Sequence, residues 1–374
     1  MARVLVVSHL GRHFRIFGQY DYKVLLDMGM DVHIAANFKD DIDHFEDKNV
    51  TKHQIDFIRN PFDFNNLKAY KQLKQLFDRY HFDIIHCQSP TGGAITRLAA
   101  RSTRKRGSKV IYTAHGFHFY KGAPRKNWIL YFGIEKWLAK YTDCIITINE
   151  EDYETAKKKM AGNRVELING VGIDLNKFRP QTELGKKQLR EEYGFKEDEF
   201  ILTYTAELSE RKNQEMLIRV IHQLKERIPG IRLLLIGKGI KESYYKSLVN
   251  QLGLNDQIKF LGYRNDVKNL LGLADIAVSS SKQEGLPVNV LEAMAMGLPL
   301  VVTDCRGNRD LVKDNENGFI VAINNTNDFS KAVERLYISK QLQEKFKKQN
   351  LTKIINYSLE RISINMRNIY SKYI

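Results

Sequence analysis

Long apolar runs are missing from this sequence: nothing in it approaches the roughly 18 to 20 consecutive apolar residues needed to cross a bilayer. Met1-Ala2-Arg3 leads at once into the short run Val4-Leu5-Val6-Val7. That run is too short for the core of a secretion signal and has no small-residue cleavage site after it, so a cytoplasmic protein is expected. Cysteine is scarce as well. Cys87, Cys144 and Cys305 are scattered, and two of them lie within or beside apolar strand-like runs, where a reduced thiol acts as a small hydrophobe. No Cys-x-x-Cys pair or Cys/His cluster suggests zinc. Also absent are a zinc finger, an RNP-like aromatic strand and a heptad repeat joined to a basic region, so nucleic acid is not an expected partner. There is no repeat of solenoid length and no low-complexity tract.

What is present is a chain of 374 residues, 43% apolar and 28% charged, with a net charge of +15. Such a composition belongs to a soluble globular protein, and such a length to two domains. The positive excess asks for an anionic partner, either a membrane surface or a phosphorylated substrate. Arg101, Arg104, Lys105, Arg106 and Lys109 form the densest basic cluster, followed by Lys121, Arg125 and Lys126. The last of these open the aromatic segment Trp128-Ile129-Leu130-Tyr131-Phe132, which continues to Trp137. Basic residues beside tryptophan and tyrosine suit a lipid headgroup layer. A solvated basic face over an ordinary core helix fits the same residues.

Short β-branched runs at 4–7, 32–35, 83–86, 110–113 and 144–148 alternate with helical spacing, as at 67–80 and 128–141. A second series places strands at 200–205, 232–236, 258–261, 276–279, 300–303 and 319–321. Strand and helix in alternation predict an α/β protein of two doubly wound, Rossmann-like domains with parallel sheets, facing across a cleft. Asn169-Gly170-Val171-Gly172 and Pro180 mark the connection. The expected domains are 1–175 and 176–356. The segment 357–374 reads as a helix that either extends the second core or crosses back onto the first domain.

Ligands of such folds sit in loops after strands. The loop after 276–279 carries Glu284-Gly285-Leu286-Pro287-Val288-Asn289-Val290-Leu291-Glu292, and Gly297 and Pro299 follow. Pro287 suits the first turn of a helix, where its missing N–H costs nothing. The free N–H groups of Leu286, Val288 and Asn289 would then face the cleft as a diphosphate site, with Gly285 permitting close backbone approach. Glu284 falls where a transferred sugar would lie. Glu292, eight residues on, falls where a carboxylate accepts both hydroxyls of a ribose.

This string resembles that of the family 4 retaining glycosyltransferases, which have the GT-B fold. The likeness covers nearly the whole chain, including Asp275-Ile-Ala-Val-Ser-Ser-Ser, Gly297-Leu-Pro-Leu-Val, Asn317-Gly-Phe-Ile-Val and Asn169-Gly-Val-Gly-Ile-Asp174. Thr113-Ala-His-Gly-Phe-His-Phe-Tyr-Lys-Gly-Ala-Pro124 and Ile148-Asn-Glu-Glu-Asp-Tyr153 are most similar to bacterial enzymes of capsule and exopolysaccharide assembly. The resemblance implies that Arg211 and Lys212 neutralise a leaving diphosphate. It also implies that Gly237 and Leu261 lie beside the nucleotide, and that His115 contacts the transferred sugar and acceptor. His9, His118 and Gly11 are weaker candidates on the first domain. Many relatives carry Gly-Arg where this chain has Ala206-Glu207.

The reaction so implied is transfer of a hexose or N-acetylhexosamine from a UDP-sugar, with retention by front-face displacement. The acceptor is a polyprenyl-diphosphate-linked saccharide at the inner face of the membrane, to which the protein would attach peripherally. Glu284 would hold sugar hydroxyls and stabilise charge on the ring. No metal or other cofactor is expected, because Arg211, Lys212 and the helix amides supply the electrostatics. Asp41-Ile42-Asp43 resembles a metal-binding Asp-x-Asp of another glycosyltransferase fold but lies far from the donor motifs. Two other readings share the fold: transfer to a soluble small acceptor, and UDP-sugar epimerisation.

Overall fold

The computed structural model describes residues 1–39, 45–160 and 164–374, so Asp41 and Asp43 lie outside the described residues. The chain divides into two compact units. One is Met1–Gly172 with Leu359–Ile374, and the other is Ile173–Ser358.

The first unit is built on β1 (Arg3–Leu10), β2 (Asp31–Asn37), β3 (Thr51–Gln54), β4 (Ile84–Gln88), β5 (Lys109–Ala114), β6 (Cys144–Thr147) and β7 (Arg164–Leu167). They pair in parallel in the order β3-β2-β1-β4-β5-β6-β7. Helices cover both faces, so the central strands are apolar along their length rather than alternating. The helix Asn66–Arg79 shows why the crossovers fold: Ala69, Leu73, Leu76 and Phe77 form one buried stripe at helical spacing. β3 and β7, which the sequence reading omits, are edge strands. Thr51-Lys-His-Gln is polar throughout and Arg164-Val-Glu-Leu alternates polar with apolar, because their outer sides meet water.

The terminal helix Leu359–Tyr370 belongs to this first unit, burying Ile362, Met366, Ile369 and Tyr370. Its Tyr370 hydroxyl meets Nδ1 of the buried His86 at 2.7 Å, and Nε2 of His86 meets Thr113 Oγ1 at 2.8 Å. A helix so anchored is part of the core, not an appendage.

The second unit carries β8 (Phe200–Thr205), β9 (Ile231–Ile236), β10 (Ile258–Gly262), β11 (Ile276–Ser279), β12 (Leu300–Thr303) and β13 (Gly318–Val321). Their order, β10-β9-β8-β11-β12-β13, is again all parallel. Leu202, Tyr204, Leu233 and Leu235 of the sheet pack with Leu217 and Ile221 of the helix Gln214–Leu224 in one core. Each strand foreseen in this half is present. Among the described residues, no helix is long and apolar enough to cross a membrane.

Candidate active site

All strands of a parallel sheet end on one edge, and side chains from neighbouring loops meet where the strand order reverses. In the second unit the reversal lies between β8 and β11. The loop after β8 brings Arg211 and Lys212, and the loop after β11 brings Ser280, Ser281 and Glu284. Two hydrogen bonds tie these loops together, and a third fixes the second loop to the end of β12. Lys282 N donates to Arg211 O at 2.8 Å, Ser280 Oγ donates to Lys212 O at 2.9 Å, and Thr303 Oγ1 donates to Ser281 O at 2.5 Å.

Glu284 is buried and does not lie in a surface pair. One carboxylate oxygen accepts from Ser281 Oγ at 2.6 Å and meets the Lys212 ammonium; the other lies 3.3 Å from Arg211 Nη1. Ser281 has one proton and gives it to the carboxylate. The Tyr204 hydroxyl, 2.7 Å from Ser281 Oγ and 3.1 Å from Lys212 O, shares its one proton between these two acceptors. Burial and the neighbouring Glu284 charge hold the Tyr204 hydroxyl well above its ordinary range, so it keeps its proton. The residues assigned separately to phosphate and sugar thus form one charge cluster.

The helix after this loop is Val288–Ala295. Pro287 is its N-cap, one position earlier than the sequence suggests, and its carbonyl receives the Val290 and Leu291 amides at 3.2 Å. A residue without an N–H fits either position, which explains the shift of one. Among the described residues, no acceptor meets the amides of Leu286, Val288 and Asn289. Arg306 Nε donates to Glu284 O at 3.1 Å. A Cβ on Gly307 would come within 2.5 Å of Gly285 O and 2.8 Å of Pro287 Cδ. The helix Arg306–Leu311 therefore braces the loop from behind, a support that sequence reasoning missed. The glycine between Arg306 and Asn308 was its one visible trace.

Glu292 is half-buried on the Val288–Ala295 helix. Burial pushes its carboxyl up to about 7, opposed only by Lys177. Gly237, at φ +143, has a local reason to be glycine: a Cβ there would lie 2.1 Å from Ala206 O. Its loop supports the turn after β8, with Ala206 N donating to Ile236 O and Leu208 N to Lys238 O. Leu261 is half-buried near the end of β10. Glu207 is exposed and makes no ion pair among the described residues, so no acidic role is visible for it.

In the first unit the order reverses between β1 and β4. His115 follows β5, and its Nε2 lies 2.8 Å from Gln88 Oε1 at the end of β4. Gln88 Oε1 also accepts from Tyr20 OH at 2.5 Å, while Gln88 Nε2 donates to Asp21 Oδ2 at 2.6 Å. Burial pushes the Asp21 carboxyl up, but the His13 hydrogen bond and charge and the Tyr22 amide pull harder, leaving it below its usual range. An ionised Asp21 only accepts. The Gln88 amide must turn its NH2 toward Asp21 and its oxygen toward His115, an orientation assigned from the network. His115 therefore carries its proton on Nε2 and keeps a lone pair on Nδ1. Burial, then the charge of His13, pushes its pKa down to about 3, so the ring is neutral. Among the described residues, Nδ1 has no hydrogen-bond partner.

His9 Nδ1 meets Ser89 Oγ at 2.9 Å, and Ser89 itself holds a positive φ of 65°. Such backbone costs roughly 1–3 kcal/mol in a residue with a side chain and clusters at functional sites. His118 is exposed and stacks on Tyr131 at 4.8 Å between ring centroids. Gly11 is a packing glycine: a Cβ would lie 2.5 Å from Phe38 Cδ1, and its N–H donates to Asn37 O. Sequence reasoning missed Asp21 and Gln88. The available signal was polar residues at alternate positions of β4, Ile-Ile-His-Cys-Gln, inside an otherwise buried sheet.

Two doubly wound parallel sheets of this kind make up the GT-B fold, shared by solved structures that superpose on the whole chain. One is HepE of Anabaena, crystallised with UDP and glucose, with a TM-score of 0.80, 18% identity and full coverage of both chains. Another is WaaG, a glycosyltransferase involved in lipopolysaccharide biosynthesis, with a TM-score of 0.78, 16% identity and coverage of 98% and 99%. The family model for glycosyl transferases group 1 matches residues 185–352, and that for glycosyl transferase 4-like proteins matches residues 6–149. The chain belongs to this glycosyltransferase family. It is 44% identical over 372 residues to EpsD of Bacillus subtilis (strain 168), covering 99% of this chain and 97% of that one. A 29% identity over 289 residues, 76% of this chain and 74% of the other, relates it to an Escherichia coli enzyme. That enzyme is the UDP-Gal:α-D-GlcNAc-diphosphoundecaprenol α-1,3-galactosyltransferase.

Proposed function

We propose that the protein transfers a hexose or N-acetylhexosamine from a UDP-sugar to a saccharide carried on a polyprenyl diphosphate, with retention at the anomeric carbon. The setting is the inner face of the cell membrane, in capsule or exopolysaccharide assembly. The observation that carries the donor half is the Glu284 cluster, in which a buried carboxylate, two cations and free helix amides share one switch point. When the diphosphate binds, Arg211 and Lys212 turn from Glu284 to phosphate oxygens, together with the amides of Leu286, Val288 and Asn289. Glu284 is then free to accept hydroxyls of the transferred sugar and to stabilise positive charge on its ring. The bond from the anomeric carbon to the diphosphate breaks while the acceptor oxygen bonds to the same face, and the acceptor proton passes to the leaving phosphate. These groups supply the electrostatics without a metal ion. His115 offers Nδ1 as an acceptor, so the substrate group beside it is a hydroxyl.

The lipid-linked acceptor is supported by the name of the Escherichia coli relative and by the basic, aromatic surface of the first unit. The test is incubation with UDP-hexoses and UDP-N-acetylhexosamines, offering membrane lipid extract or soluble sugars as acceptor. Transfer to the lipid fraction with the donor's anomeric configuration is the expected result. Transfer to soluble sugars alone, inversion, or interconversion of UDP-sugars without acceptor would each overturn it.

Glu292 gives the donor site a pH signature. Only the carboxylate accepts both ribose hydroxyls, so nucleotide binding releases a proton from a group of pKa about 7. Affinity for a UDP-hexose, whose phosphate charges are constant over this range, is expected to rise with pH by up to ~10-fold per unit and to level off above about 7. The raised pKa has the opposite effect on the empty protein. Its stabilising effect is complete below the ordinary carboxyl range and is lost as pH rises through about 7. Titration calorimetry across this range should show the binding slope in the wild type and a flat profile in Glu292→Gln. The same slope in both proteins would remove the ribose assignment.

A further inference from the structure

We propose that the first unit contains a binding site for a prenyl diphosphate, which takes the carrier end of the lipid-linked acceptor. It is a groove of about 630 Å³ between the helices Pro90–Ala99 and Arg125–Ala139, a volume suited to a substantial small ligand. The inference rests on the lipid-linked reading above and names the residues that meet the carrier.

Neighbouring helices on one face of a doubly wound sheet normally close on each other. Ala94, Ile95 and Leu98 face Tyr131, Ile134 and Leu138 as two apolar stripes at helical spacing, the pattern of a closed core. Yet Ala94, Leu98, Tyr131 and Ile134 are only half-buried, because both stripes line open space rather than closing on each other along their whole length. A charged strut stands between them. Arg97 is wholly buried, stacked 3.8 Å over Tyr112, with Nη2 2.9 Å from Glu135 on the facing helix. That contact is close but not aligned as a hydrogen bond, and both terminal nitrogens of Arg97 lack a hydrogen-bond acceptor among the described residues. Burying a cation so incompletely paired is costly, and what the arrangement preserves is the gap.

The chemistry of the lining specifies the ligand. Its interior is apolar, and Phe62 and Trp137 on its rim remain 50% and 44% exposed. Two arginines, Arg12 and Arg59, also line it. Both are exposed, and neither has an ion pair among the described residues. Glu135 is the one acid of the lining and is committed to Arg97. An apolar slot with two unpaired guanidiniums is complementary to an isoprenoid chain that ends in a diphosphate. His9, Gly116 and His118 line the same groove and flank His115 in sequence or in space. A saccharide on that diphosphate is thereby directed toward the histidine. Ile129 and Leu130, exposed on the same helix as Trp137, suit the membrane from which the chain would rise.

Trp137 reports on its own groove, since the protein has only two tryptophans. The full chain, saturated with UDP to fill the donor phosphate site, is titrated with farnesyl diphosphate, farnesol or inorganic diphosphate while tryptophan fluorescence is followed. Farnesyl diphosphate should bind at least ~10-fold more tightly than either fragment, because only it satisfies both the apolar and the charged lining. The signal should vanish in Trp137→Phe. Leu98→Gln should weaken farnesyl diphosphate and farnesol alike, and Arg12→Ala with Arg59→Ala should weaken the diphosphates only. Equal affinity for farnesyl diphosphate and inorganic diphosphate would show a phosphate site without a lipid slot and overturn the proposal, as would no response at Trp137. Transfer to lipid-linked saccharide with no farnesyl diphosphate binding would sink the groove alone. Binding without any such transfer would sink the acceptor reading and keep the groove.

Discussion

Glu284→Ala is expected to lower kcat by about 10²–10³-fold, as when one preorganised transition-state contact is removed. Affinity for UDP should be kept or improved, because Arg211 and Lys212 no longer have to be drawn away from a carboxylate before they meet phosphate. The substitution also has a structural cost. Lys212 and Glu284 are almost fully shielded from water, and removing one partner of a buried pair costs roughly 3–5 kcal/mol. Nucleotide phosphates restore the missing negative charge. UDP should therefore raise Tm more in the variant than in the wild type, a crossover that general destabilisation would not produce. Glu284→Gln keeps the Ser281 contact and should fall between the two. Single-turnover kinetics and thermal melts with and without UDP measure both effects. Wild-type turnover in Glu284→Ala would refute the assignment.

Gln88→Leu, which keeps the volume of the side chain, is expected to lower kcat by on the order of 10²-fold through loss of positioning. Removing the amide takes away the acceptor for the His115 Nε2 proton and the link to Asp21, so either ring nitrogen can carry the proton. The KM for the UDP-sugar should change less than kcat, since the residues proposed to hold the diphosphate belong to the second unit. Nitrogen NMR of the His115 ring tells positioning from mere damage. The wild type should show a single tautomer protonated at Nε2 and no titration near neutral pH, and Gln88→Leu a mixture. An unchanged tautomer would show that the Asp21–Gln88 link does not govern the ring.

The fold was largely legible because apolar runs such as Leu-Leu-Leu-Ile in β9 have no soluble alternative to a sheet covered on both faces. The edge strands were not, since Thr51-Lys-His-Gln looks like any polar loop until a neighbour pairs with it. The loop proposed for the donor stands out in the sequence because its parts are contiguous, with Glu284, the capping proline and Glu292 on one short string. Asp21, Gln88 and His115 come from three separate segments, and only folding reveals that one carboxylate orders the other two. The groove was hidden for a different reason. Ala94, Ile95 and Leu98 have the spacing of ordinary core, and nothing in one helix says how far away its neighbour stands. Gly237 and Gly11, both read for a ligand, each also meet a demand of the protein's own packing that the sequence does not display.

All three cysteines are buried, and burial pushes Cys87 and Cys144 up to about 12 and Cys305 to about 11. The folded protein therefore offers essentially no thiolate to an alkylating reagent at neutral pH. A single cysteine introduced on the surface of either unit becomes a unique attachment point without prior removal of the native ones. Paired spin labels or fluorophores placed in this way would measure the distance between the units with and without nucleotide.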